Sequence, residues 1–180
     1  MSALLFFASD KPFKEQPNPH EKIISINEAL ALGAEIPDYA LELDLDRDKP
    51  ILLYMDRKIH FNKETKAIED GDFDDDFSIR PFPPSEVYGI HTEKPFCAEV
   101  CLHRYTDGRA ENILKYIKEH MQNAEELELW HVWLDDYETP VFRRKELLLS
   151  DLSVSTLKEV EEVQLTVKPL VHYCFTIKKG

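Results

Sequence analysis

Glycine is scarce in this chain, with five residues in 180. Loops that cradle phosphate need glycine wherever the backbone must approach an anion closely. Neither G-x-G-x-x-G nor G-x-x-x-x-G-K-[ST] occurs, and G-x-S-x-G and H-E-x-x-H are missing too. Nucleotide enzymes and serine hydrolases of the common kinds are disfavoured, and no cofactor is implied. Basic residues are also short: 22 Lys and Arg stand against 35 Asp and Glu, a net charge of −13. Such a field repels phosphate backbones and anionic lipid heads. Nucleic acid and membrane surfaces are therefore poor partners, whereas a basic protein or a cation would be steered in. No segment approaches the ~20 apolar residues that cross a bilayer. "MSALLFFASD" has no basic residue ahead of its short apolar run, unlike a secretory signal. The three cysteines, Cys97, Cys101 and Cys174, cannot all pair within one chain. The expectation is a reduced, cytoplasmic protein with free thiols.

What is present is a core. Hydrophobic residues make up 43% of the chain and aromatics 11%, enough to exclude disorder as the default. The charge is uneven: residues 1–90 hold 10 basic and 19 acidic groups, residues 91–180 hold 12 and 16. "SALLFFAS", residues 2–9, reads as a buried strand, and "KPFKEQPNPH" as a proline-rich loop. "SINEALALG" opens with a capping box, Ser25 and Glu28, and closes on Gly33, which predicts a short helix. Tyr39, Leu41, Leu43 and Leu45 alternate with acidic residues as in a half-buried strand. "ILLYM" and "IHF" read as further strands. Three prolines within residues 81–84 stiffen the chain and mark a boundary between a strand-rich half, 1–84, and a second half, 85–180.

In the second half "VYGI" and "FCAEVCLHRY" predict strands. "AENILKYIKEHMQN" predicts the strongest helix, with Ala110, Ile113, Leu114, Ile117 and Met121 on one face and Thr106 or Asp107 as cap. "LELWHVWLDD" and "VFRRKELLL" read as a hairpin joined by "DYET". "SVSTLKEVEE" predicts a helix capped by Ser153, and "LVHYCFTIKK" a last strand. The succession βαββαβ fits a ferredoxin-like sheet with two helices on one face. The fold class expected is therefore α+β: a ferredoxin-like C-terminal half packed against a strand-rich N-terminal half, as one fused unit. Residues 127–135 have no polar face. Two helices shield only one side of a sheet, so the N-terminal half or a twin molecule must cover the other.

Three constellations bear on chemistry. Asp70, Asp72, Asp74 and Asp76 alternate like the start of a calcium loop, but the sixth and twelfth positions hold Asp75 and Pro81 where an EF-hand needs Gly and Glu. The run reads better as a solvated connector. Cys97, Cys101 and His103 share one strand face, and His172 and Cys174 another. In a ferredoxin-like order these strands are neighbours, but two cysteines four apart on a strand lie ~13 Å apart, too far for one zinc ion. His131, between Trp130 and Trp133 and close to Asp135, has the makings of a general base or a ligand pocket, with His103 as a further candidate. Core packing is the simpler account of that histidine. The function expected is a non-catalytic, acidic interaction module for a basic protein partner. The alternative is a small-molecule-binding protein or enzyme with a site between the halves near His131.

Overall fold

The computed structural model describes residues 3–41, 43, 45–55, 59–62, 67–70, 73–86, 91–102, 104–134, 141–161 and 171–180. In chain order the elements are β1 (Ala3–Ser9), β2 (Glu21–Ile24), α1 (Ile26–Ala31), α2 (Asp38–Leu41), β3 (Leu52–Met55), β4 (Ile59–Asn62), β5 (Ala67–Asp70), β6 (Phe77–Phe82), β7 (Phe96–Leu102), α3 (Asp107–His120), β8 (Glu126–Trp133), β9 (Val141–Leu148), α4 (Val154–Glu161) and β10 (Val171–Lys178). The protein is α+β, with a large mixed sheet and few helices. It divides into two compact units, Met1–Asn18 with Phe73–Gly180, and Pro19–Asp72. The expected strand "VYGI", residues 87–90, lies outside the described residues.

The larger unit holds a six-stranded sheet in the order β6-β7-β1-β8-β10-β9. All neighbours are antiparallel except β9 and β10, which run parallel. The succession from β7 to β10 is the expected βαββαβ, but the sheet order is not ferredoxin-like. There β7 and β10 would be neighbours; here β1 and β8 stand between them. The reason lies in β1, whose Phe6 and Phe7 point to opposite faces and are both fully buried. A strand apolar on both faces fits the middle of a sheet that is covered on both sides. The expected β8–β9 hairpin is likewise replaced: β10 lies between the two and pairs in parallel with β9. β10 is largely buried, whereas β9 exposes Arg143, Arg144 and Lys145, residues that suit an edge. The proline stretch is no linker either. Pro81 lies in β6 opposite Ala98, on an edge strand, where a missing N–H is tolerated.

Helices α3 and α4 cover one face of this sheet. Thr106 caps α3 by accepting from the Arg109 backbone N–H, with Asp107 in the first turn and Lys118 and His120 in the last. These charges oppose the helix dipole at each end. Ala110, Ile113, Leu114 and Ile117 then pack with Leu157 and Val160 of α4 on Phe7, Ile79, Val100, Leu129, Phe175 and Ile177. Full burial of each large side chain stabilises by about 1.5–3 kcal/mol. The opposite face is buried as well, around Leu4, Phe6, Ala8, Cys97, Trp130, Val132 and Cys174. The front half of the chain contributes to this unit as two strands within the sheet, β1 and β6.

In the smaller unit, α1 has its capping box: the Glu28 N–H donates to Ser25 Oγ at 3.1 Å, and the Ser25 N–H to Glu28 Oε2 at 2.8 Å. Gly33 follows at φ 76°. Its N–H bonds the Leu30 carbonyl and the Ala34 N–H that of Ala29, a Schellman ending that favours glycine. β2 and β3 form a two-stranded antiparallel ribbon, and β4 and β5 another. The strand expected over residues 39–45 is overturned. Asp38–Leu41 is a helical turn, with Asp38 at its start and the Arg47 guanidinium donating to the Leu41 carbonyl at 3.0 Å.

Candidate functional site

His131 sits on β8, on the face that α3 and α4 cover, opposite Leu5 of β1 and Tyr173 of β10. It is 5% exposed, and Trp133 meets its ring edge-on at 5.1 Å. Burial pushes its imidazole down to about 4, so it is neutral at pH 7. His131 Nδ1 and Trp133 Nε1 find no hydrogen-bond partner among the described residues. Asp135 and His103, the other residues expected beside it, lie outside the described residues. Trp130 is on the opposite face and fully buried. Phe6 stacks on it at 6.0 Å, Arg144 lies over its ring at 5.0 Å, and its indole N–H donates to Glu128 Oε2 at 2.7 Å. Thr92 donates to the same oxygen at 2.6 Å. The two tryptophans therefore serve opposite layers.

The cysteine and histidine set does not converge. Cys97 and Cys101 lie on the Trp130 face of β7, and His172 and Cys174 on that face of β10. With β1 and β8 between them, the strands are about 14 Å apart. Burial pushes the Cys97 and Cys101 thiols up to about 11 and Cys174 to about 12, which keeps them protonated and unreactive. Among the described residues no group of three His, Cys, Asp or Glu side chains is placed to hold a metal ion.

The acidic run ends in a clamp where a wet connector was expected, although Asp74 and Asp75 are exposed. Asp76 is buried and accepts from Arg109 Nη2 at 3.1 Å and Asn18 Nδ2 at 2.7 Å. Arg109 also donates from Nε to the Phe73 carbonyl and from Nη1 to that of Arg104, both at 3.1 Å. Asn112 donates to the Asp74 carbonyl at 3.0 Å. The Asp74 carboxylate rests against Gly108 in the first turn of α3, where helix N–H groups favour negative charge. Asp70 ends β5, and Asp72 lies outside the described residues.

Two features escaped the sequence reading. One is a cleft of about 430 Å³ between residues 11–17 and α3, walled by Pro12, Pro17, Tyr116 and His120. His120 stacks on Phe13 at 4.4 Å and lies 3.0 Å from Ser9 Oγ through Nε2. This Ser–His pair is structural: Ser9 is fully buried, and its oxygen already accepts the Lys11 N–H. The signal in "KPFKEQPNP" was its prolines, which stiffen a strap that carries charged side chains. The other is the outer face of the β2–β3 ribbon. Ile23 and Leu53 face each other in register and are 60% and 53% exposed. Ile51, whose N–H extends the ladder to Ile24, continues the alternation at 40%. The alternation of Ile51 with Leu53 was visible in "ILLYM"; its exposure was not.

Compared with protein-family models, curated proteins and solved structures, the chain matches none.

Proposed function

We propose that the protein is a non-catalytic interaction module of the reduced cytoplasm that docks a basic protein partner through the ribbon of its smaller unit. The observation that carries this reading is the exposed ladder of Ile23, Ile51 and Leu53. A two-stranded ribbon is marginal without a packed face, and contiguous exposed apolar surface marks interaction sites. Its surroundings supply the sign of the partner. Residues 19–72 hold 13 acidic and 7 basic groups, a net of −6. An apolar centre with a charged rim is how interfaces divide affinity from steering. Two copies, each at −13, repel, which favours a basic partner over a twin. Among the described residues no helix is long and apolar enough to cross a membrane.

The test is affinity capture from native extract with the full chain at low salt, repeated at high salt. Recovery of a basic protein that high salt weakens supports the proposal. Recovery of neutral or acidic proteins alone, insensitive to salt, contradicts it.

A further inference from the structure

The cleft beside α3 belongs to the larger unit and stands independently of the docking reading. We propose that it binds a small zwitterion of the amino-acid or dipeptide class. Its volume of about 430 Å³ falls within the range of small-molecule sites, roughly 300–1,000 Å³. Lys11, Lys14, Glu15 and Glu119 line it, and none of the four forms an ion pair among the described residues. The side-chain amides of Gln16 and Asn123, also on the lining, are equally without partners there. Two uncommitted cations and two uncommitted anions share a single cleft. A purely anionic ligand would meet Glu15 and Glu119, and a purely cationic one Lys11 and Lys14. A ligand with one charge of each sign is matched to both sets.

The strap is set before any ligand arrives. The Lys11 N–H is fixed to Ser9 Oγ at 3.2 Å, the Lys14 carbonyl accepts the Tyr116 hydroxyl at 2.6 Å, and both backbone groups of Gln16 bond Ile79. Phe13 anchors it from below, buried against Phe7 and His120. Only side chains remain to be ordered, which lowers the cost of binding. Pro12, Pro17 and Tyr116 offer an apolar wall for a side chain of the ligand. Solvent-exposed ion pairs are individually weak, so the expected affinity is millimolar to high micromolar.

The experiment titrates the full chain, by calorimetry or NMR, with glycyl-leucine, with its N-acetylated form and with its C-terminal amide. The expected result is saturable binding of the free dipeptide and binding at least about tenfold weaker for each capped form. Lys11→Ala/Lys14→Ala and Glu15→Ala/Glu119→Ala should each weaken the dipeptide by a similar factor. Circular dichroism checks that both variants remain folded. Absence of saturable binding, equal binding of all three compounds, or variants that bind like the native chain would each overturn the proposal.

Discussion

The Arg109 guanidinium donates to the Asp76 carboxylate over 3.1 Å, and both side chains are only 1% exposed. This pair joins the end of the acidic run to the first turn of α3. A buried pair broken on one side leaves an uncompensated charge, at a cost of about 3–5 kcal/mol. Asp76→Ala and Arg109→Ala should each lose that much in urea unfolding. Glu35→Gln, at an exposed site of the smaller unit, should stay within about 0.5 kcal/mol of the native chain. Losses at Asp76 and Arg109 no larger than that would refute the clamp.

Gly108 makes a sharper test of the same contact. An alanine in a helix ordinarily gains about 1 kcal/mol over glycine. A Cβ here would meet the Asp74 carboxylate, which must swing away toward solvent, so Gly108→Ala alone should gain less than that. Together with Asp74→Ala the gain should return. A double-mutant cycle in thermal or urea unfolding reads the coupling; additivity would show that the carboxylate does not occupy that place.

Much of the local structure was legible from short-range signals. The Ser25 and Glu28 box, Gly33, the Thr106 cap and the helical periodicity from Ala110 to Ile117 each fix their own neighbourhood. The sheet order was not legible, because it depends on which distant strands bury which faces. "SALLFFAS" identified β1 as a buried strand, but a local reading could not insert it between β7 and β8. Asp76 stood among four other aspartates, and only the fold distinguishes the one that meets Arg109. The candidate site suffered the same way: "KPFKEQPNP" reads as a loop until Tyr116, fixed on α3, meets Lys14.

The central place of β1 predicts the fate of a fragment. A chain beginning at residue 86 lacks both β1 and β6, and it exposes the inner edges of β7 and β8. It should be insoluble or molten, with far-UV dichroism retained and near-UV dichroism lost. A folded, monomeric fragment would contradict the observed sheet order.

His131 links the core to pH. Its folded value of about 4 lies below the ordinary 6.5, so the unfolded chain binds the proton more readily. The stability it contributes is whole above pH 6.5 and is lost as pH falls toward 4, by about 3 kcal/mol. Urea midpoints between pH 7 and 4 should fall, and His131→Gln should flatten the decline. An unchanged slope in the variant would mean that the imidazole is not buried neutral.

The docking claim is tested most directly by repeating the low-salt capture with Ile23→Thr/Leu53→Thr beside the native chain, a polar pair that suits facing strand positions. Both positions face water, so the variant should keep its melting temperature and lose the basic partner. Retention of that partner at native levels would contradict the account. So would a marked drop in melting temperature, which would mean that the ribbon face is already covered by the protein itself.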